Sequence, residues 1–269
     1  MDLDGTLLRD RGGDSHPQDM EALHAAQAAG IPVIIATGRS HFASQPVVDR
    51  LGLQSPHAPY DGAWIVSPDG KLERDVRVPL DMARHVLREC RNLGLAVRVF
   101  LSDRIIISEE PGPDEVFFKY RPYEHVDRKI ADTLREPPVQ MVVVHLNDVS
   151  AFAGEFTGTD VEHDLQWMLQ GHDPETPHFW ALHLLNKAGT KEGALAQLCE
   201  RWGVERENVL AFGDGPNDVG MLGWAGTGVS FPWAVEEAQA AANIITDGAD
   251  PHPIATVVRA WLASPLPVS

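Results

Sequence analysis

Ile31-Pro32-Val33-Ile34-Ile35-Ala36-Thr37-Gly38-Arg39-Ser40 is the stretch on which the fold turns. Its first six residues are apolar and rich in β-branched side chains, the pattern of a short strand buried on both faces. Thr37-Gly38 then breaks the run, and a helix is expected to follow. Upstream, Pro17 fits a first helical position, residues 18–29 are rich in helix formers, and Gly30 is a natural stop. Loop, helix, buried strand, loop, helix is the rhythm of a parallel, doubly wound (Rossmann-like) α/β sheet.

That rhythm returns in the C-terminal third. Thr190 is placed to cap a helix that runs to Trp202 and stops at Gly203. Residues 208–212 form a second buried-type strand, which ends in Gly213-Asp214-Gly215-Pro216-Asn217-Asp218. Short strands are expected at 226–231 and 243–246, with a helix over 234–241. Between the two halves the pattern differs. Residues 63–66 and 71–78 read as a hairpin around Ser67-Pro68-Asp69-Gly70. Residues 80–93 have helical periodicity. Strands are expected at 96–101, 104–108 and 139–146, a loop at 110–113 and a helix at 149–156. Helices mixed with hairpins mark an α+β insert. The expected organisation is a discontinuous core of 1–68 and 186–269, with an α+β cap domain at 69–185.

Composition narrows the function. The chain has 269 residues, 43% hydrophobic and 23% charged, and a formal net charge of −17. Such an acidic balance argues against nucleic acid or an anionic membrane as partner, since both need clustered Lys and Arg. A phosphorylated small molecule stays open, because a metal or a local cation can reverse the field inside one cleft. Two cysteines are too few for a disulfide framework. No apolar run approaches the ~20 residues of a membrane span, and no basic segment followed by an apolar run opens the chain. A cytoplasmic setting is expected. Oligomeric state has no signature in the sequence.

Four polar elements fall where a strand ends and a loop begins, the place where open α/β sheets bind ligands. Met1-Asp2-Leu3-Asp4-Gly5-Thr6 sets two carboxylates one residue apart ahead of a tight turn, which suits a nucleophile and an acid/base for phosphoryl transfer. A chance match to such a pattern is on the order of one in a thousand. A calcium loop would need further oxygen ligands nearby and a closing Glu, which are missing here. Thr37 closes an apolar strand, where its hydroxyl and the next N–H groups can hold a phosphoryl oxygen. Lys187 and Lys191 compete as the cation; Lys191 stands at a helix N-terminus, which itself favours an anion. The Gly-rich turn with Asp214 and Asp218 is a hard-oxygen site suited to Mg²⁺.

Asp2-Leu3-Asp4-Gly5-Thr6, Ala36-Thr37-Gly38-Arg39, Lys191-Glu192-Gly193-Ala194-Leu195 and Gly213-Asp214-Gly215-Pro216-Asn217-Asp218 occur in the order and approximate spacing of the haloacid dehalogenase superfamily. The long insert resembles the large-cap phosphatases of the Cof type, in size and pattern. The resemblance implies a Mg²⁺-dependent phosphatase acting on a small phosphorylated metabolite, with the cap closing over the cleft. It implies Asp2 as nucleophile, forming an aspartyl-phosphate, and Asp4 as general acid and then base. Thr37, Gly38, Arg39 and Asn217 would bind the phosphate, with Lys191 holding the transferring group. Asp2, the Asp4 carbonyl, Asp214 and Asp218 would serve the metal. A phosphomutase, or a phosphate-ligand-binding protein without turnover, is the alternative.

Three positions depart from that pattern. Asp61 and Trp233 stand where these phosphatases often carry Asn. Only Met1 precedes the nucleophile, where the family has a buried central strand. Such a strand contributes several side chains at roughly 1.5–3 kcal/mol each, against a total stability of ~5–15 kcal/mol. An empty slot in the sheet and an incomplete N-terminus are therefore expected. Outside the motifs, His163, His172, His178 and His183 match no zinc spacing and are expected to be surface residues of the cap. Arg98, Arg121 and Arg128 are expected to be solvated. Trp64, Trp180, Trp202 and Trp224 are expected to pack.

Overall fold

The computed structural model describes residues 1–9, 14–108, 123–156, 158–168 and 179–263, with backbone only for 162–168 and Phe179. The loop expected at 110–113, Arg121, His172 and His178 lie outside the described residues. In chain order, α1 (Pro17–Ala28) leads to β1 (Ile35–Ala36), α2 (His41–Leu51), β2 (His57–Ala58), β3 (Trp64–Val66) and β4 (Leu72–Asp75). Next come α3 (Leu80–Leu93), β5 (Ala96–Phe100), β6 (Ile105–Ile107), β7 (Glu124–Val126) and α4 (Ile130–Thr133). They are followed by β8 (Gln140–His145), α5 (Ser150–Ala153), β9 (Val161–Met168) and β10 (Phe179–Asn186). The remaining elements are α6 (Lys191–Trp202), β11 (Leu210–Phe212), α7 (Val219–Trp224), β12 (Thr227–Ser230), α8 (Glu236–Ala241), β13 (Ile244–Ile245) and α9 (Pro253–Ala263).

The chain divides into two compact units, Met1–Arg74 with Thr190–Ser269, and Asp75–Gly189. In the first, β1 pairs with β2, and β11 with β12 and β12 with β13, all in parallel, while β2 and β3 are antiparallel. The opening residues join the two strand groups. The Met1 carbonyl accepts from Ala36 N–H (2.9 Å), and Asp2 N–H donates to the Phe212 carbonyl (2.9 Å). Leu3, Leu8, Ile35, Phe212, Val229 and Phe231 form the core around this junction, each at most 2% exposed. This is a doubly wound, Rossmann-like α/β core.

The strand read at 31–36 enters the ladder only at Ile35. Pro32 has no N–H to give, Ile31 N–H closes α1 on the Ala26 carbonyl, and Val33 N–H donates to Ser55 Oγ (3.0 Å). The strand read at 208–212 begins at Leu210, because Arg206–Asn208 coil into a 3₁₀ turn. Residues 69–74, read as part of the insert, stay with the core. The hairpin strand β4 extends the β1-β2-β3 sheet, and Arg74 donates to the Gly62 carbonyl and to Gln197 Oε1, both at 2.8 Å. Helix α6 starts as read: Thr190 Oγ1 accepts from Gly193 N–H (3.0 Å), and Gly203 ends the helix in a left-handed conformation (φ 66°).

The second unit is a six-stranded sheet in the order β7-β6-β5-β8-β10-β9. Among the described residues its strand pairings are antiparallel except that of β6 with β7. Val86 and Leu87 of α3, together with Phe152 and Phe156, pack against Val97, Val99, Val143 and Leu182. An insert of this α+β kind was expected, but β7, α4, β9 and β10 were not. β10 carries a Leu-rich run with little period-2 alternation, which hides a strand buried on both faces. Arg98, expected in solvent, is instead 2% exposed and paired with Glu124 at 2.7 Å. Among the described residues, no helix is long and apolar enough to cross a membrane.

Candidate active site

The site lies in the first unit, where Met1–Leu3 runs between β1 and β11. Asp2 is 5% exposed and Lys191 is 1% exposed. Lys191 Nζ donates to Asp2 Oδ1 at 2.5 Å and to Asp218 Oδ1 at 2.7 Å. Asp218 Oδ2 accepts the backbone N–H groups of Asp214 (3.0 Å) and Gly215 (2.9 Å), which fixes the Gly-rich turn after β11. Asp214 Oδ1 accepts from Thr6 Oγ1 at 2.5 Å. One oxygen each from Asp2, Asp214 and Asp218 lies within 4.8 Å of the others. Close packing dictates the glycines here. A Cβ on Gly5 (φ 87°) would stand 2.1 Å from Asp214 Oδ2, and one on Gly213 would stand 2.5 Å from Asp218 Cβ.

Burial sets the charge states. It raises the Asp2 pKa to about 7, against the pull of Lys191, and it raises Asp214 as well. Burial works against the Lys191 ammonium too, but the carboxylates of Asp2, Asp218 and Asp61 outweigh it and push its pKa above the ordinary value. Three carboxylates facing one ammonium leave excess negative charge on an all-oxygen donor set. That is the chemistry of a site for a hard dication such as Mg²⁺.

The other residues singled out in the sequence surround this cluster. Asp4 does not join it through its side chain. Arg39 Nε and Nη2 hold the two Asp4 oxygens at 2.7 and 2.6 Å in a bidentate fork. Arg39, read as a phosphate ligand, is thus engaged on the second aspartate. Thr37 is 1% exposed, and its Oγ1 accepts Arg39 N–H at 3.1 Å, shaping the turn after β1. Gly38 lies beside Asp61 and Asn217, whose side chains join through Asn217 Nδ2 and Asp61 Oδ1 at 2.6 Å. Of the two competing lysines, Lys191 is at the site. Lys187 belongs to the second unit and pairs with Asp160 at 2.5 Å.

Sequence reasoning missed the roles of several residues, and it marked Asp61 and Trp233 only as departures from the family pattern. Thr6 was seen as a turn residue, not as the donor that orients Asp214. Tyr60 (φ 51°) and Asp61 (φ 54°) are consecutive non-glycine residues in the left-handed region. They are held there by Tyr60 N–H on the Arg39 carbonyl and Asp61 N–H on the Thr37 carbonyl, both at 2.9 Å. Such backbone strain is concentrated at functional sites. Trp233 donates its Nε1–H to the Gly5 carbonyl at 2.9 Å, stacks on Phe231 and carries the Arg9 guanidinium over its ring.

Residues 1–258 match the sequence pattern of the haloacid dehalogenase-like hydrolases. The chain belongs to this family. It is 29% identical to the pyridoxal phosphate phosphatase YbhA of Escherichia coli, over 91% of each chain. It is 26% identical to a phosphoglycolate phosphatase of Methanopyrus kandleri, over 97% of this chain and 95% of that one. The fold is shared with the phosphatase BT1666 from Bacteroides thetaiotaomicron, at a TM-score of 0.78 and 23% identity over 97% and 92% of the two chains.

Proposed function

We propose that this hydrolase is a Mg²⁺-dependent phosphatase that cleaves a small phosphomonoester through an aspartyl-phosphate on Asp2. The observation that carries the reading is the buried Lys191 bridging Asp2 and Asp218 beside Asp214. An ammonium sealed from water between carboxylates stabilises charge that builds on a phosphoryl oxygen far better than a solvated one does. Relatives named as phosphatases of pyridoxal phosphate and of phosphoglycolate point to small phosphorylated metabolites.

In this reading an Asp2 oxygen attacks phosphorus and the ester P–O bond breaks. The leaving oxygen takes a proton from Asp4. Water then attacks the aspartyl-phosphate, Asp4 takes its proton, and inorganic phosphate leaves. For both transfers the Asp4 oxygens must come free of the Arg39 fork, and an arriving phosphate is the natural alternative partner for that guanidinium. Thr37 and the N–H groups of the turn it shapes orient the phosphoryl group, and Asn217 lies beside them. Asp2, Asp214, Asp218 and the Asp4 carbonyl would hold Mg²⁺. The ion would supply positive charge that favours ionised Asp2 and offsets the phosphate. Cys90 and Cys199 are buried free thiols, which suits action in the reducing cytoplasm.

The test is phosphate release from p-nitrophenyl phosphate and a panel of phosphorylated metabolites, with Mg²⁺ and with EDTA. Release that needs Mg²⁺ and disappears in Asp2→Asn supports the reading. Equal release from the variant, or none from the parent on any substrate, removes it. Turnover that requires a sugar acceptor would point to the mutase instead.

A further inference from the structure

Residues 231–235 join β12 to α8, and their hydrogen bonds reach both loops that carry the acidic cluster. Just ahead of them, Ser230 Oγ donates to the Gly213 carbonyl at 2.9 Å. At their end, Val235 N–H donates to the Asp214 carbonyl at 3.0 Å. Between these two bonds, Trp233 Nε1–H donates to the Gly5 carbonyl at 2.9 Å. The connection thus grips the turn after β11 at two points and crosses from there to the opening segment.

The indole is itself fixed in place. The Phe231 ring lies against it with centroids 4.7 Å apart and planes 12° from parallel, and the Arg9 guanidinium lies 5.2 Å from its centroid. Arg9 is anchored in turn on the Pro251 carbonyl at 2.9 Å. Stacking and the cation–π contact hold the ring plane, and the ring plane aims the N–H, which can only donate. Gly5 and Arg9 belong to the same opening segment, so Trp233 is tied to that segment at two places. Gly5 is a sensitive point to hold, because a Cβ there would stand 2.1 Å from Asp214 Oδ2. The next residue, Thr6, donates to Asp214 Oδ1 at 2.5 Å. Both Asp214 oxygens are therefore set by the residues that Trp233 secures. The oxygens of Asp2, Asp214 and Asp218 that lie within 4.8 Å of one another come from two separate loops. A shift of one loop against the other would change the Asp2-to-Asp214 spacing directly.

We propose that Trp233 is a positioning residue for the dication site, whose N–H bond to Gly5 locks segment 2–6 against turn 213–218. The lock keeps the ligand oxygens at the spacing that a small ion with strict octahedral demands requires. Trp233 acts through Gly5 and Thr6, as groups behind the ligands of a metal do, and not on the reacting atoms. The inference rests on the reading of Asp2, Asp214 and Asp218 as Mg²⁺ ligands.

The test compares the parent with Trp233→Phe, which keeps a ring for Phe231 and Arg9 but has no N–H to donate. Mn²⁺ is the probe, its uptake followed by loss of the free-ion electron paramagnetic resonance signal. Phosphate release from p-nitrophenyl phosphate is measured in parallel across Mg²⁺ concentrations. The variant is expected to bind Mn²⁺ about 10-fold more weakly and to need about 10-fold more Mg²⁺ for half-maximal release, with turnover at saturating Mg²⁺ nearly unchanged. Its melting temperature without metal should stay close to the parent's, since the residue is 45% exposed and water can replace the lost donor. Parental Mn²⁺ affinity and Mg²⁺ response in the variant would overturn the inference and leave the phosphatase reading standing. So would weaker binding accompanied by a large fall in the metal-free melting temperature, which would mark a merely structural role. A parent that neither takes up Mn²⁺ nor releases phosphate would remove both.

Discussion

Lys191 puts an ammonium where no solvent reaches it, balanced by Asp2 and Asp218 at 2.5 and 2.7 Å. Breaking a buried pair by removing one partner costs about 3–5 kcal/mol, because the other charge is stranded. Lys191→Met is therefore expected to lower unfolding free energy by that order in denaturant titrations without metal, with Mg²⁺ recovering part of it. Asp2→Asn keeps the shape and an oxygen acceptor for Lys191 but is no longer a nucleophile. Its turnover should fall by at least about 10⁴-fold, with folding intact by circular dichroism. Thr6→Val removes the donor that orients Asp214. On the scale of lost partners behind metal ligands, about 10–100-fold, the Mg²⁺ concentration for half-maximal activity should rise while saturated turnover changes little. These residues differ in how legible they were. Asp2, Asp214, Asp218 and Lys191 sit in short motifs at strand ends. The Thr6–Asp214 bond spans 208 positions and the Arg39–Asp4 fork 35, so neither leaves a local pattern in the sequence.

Among the elements, α3 and α6 were readable to the residue at their ends, because the stop glycines Gly94 and Gly203 are chemically explicit, and α6 also at its start, where Thr190 caps it. Thr190→Ala should cost about 0.5–2 kcal/mol, and because the next residue is Lys191, activity should fall along with stability. Strands were harder. β1 and β11 are shorter than their apolar runs, since a run records burial whereas a strand also needs a partner for each backbone group. The segment from β2 to β3 adds a pH dependence. His57 of β2 is 3% exposed and stacks on His41 of α2 with ring centroids 5.6 Å apart. Burial, with His41 adding to it, lowers the His57 pKa to about 4. The unfolded imidazole takes up its proton near 6.5, so between pH 6.5 and 4 the unfolded chain binds more protons. Stability from this group is complete above pH 6.5 and falls as pH drops toward 4, by on the order of 3 kcal/mol. Asp2, raised to about 7, titrates through the same window with the opposite sign, so the slope belonging to His57 is read as the difference between the parent and His57→Gln in chemical denaturation across that range.

For the whole molecule, the expected dication binds only where Asp2, Asp214 and Asp218 are brought together, so binding is linked to folding of the first unit. Mg²⁺ at 100 times its dissociation constant should add about 2.7 kcal/mol. The rise in melting temperature should vanish with EDTA and be much reduced in Asp214→Asn. The doubly wound core and the α+β insert were legible from the change of rhythm along the chain. The hairpin strand β4 shows what was not: hydrogen-bonding partners decide the unit to which a segment belongs, and those partners lie far away in sequence. The same discontinuity bears on biosynthesis. Asp2 leaves the ribosome first, yet Lys191, Asp214 and Asp218 emerge only after the whole of Asp75–Gly189 has been made. At typical synthesis rates of 5–20 residues per second, that intervening unit alone takes roughly 6–23 s. Throughout that interval Met1–Arg74 waits without the partners of its buried carboxylate, exposed to chaperones and proteases, while the inserted unit can already close on itself.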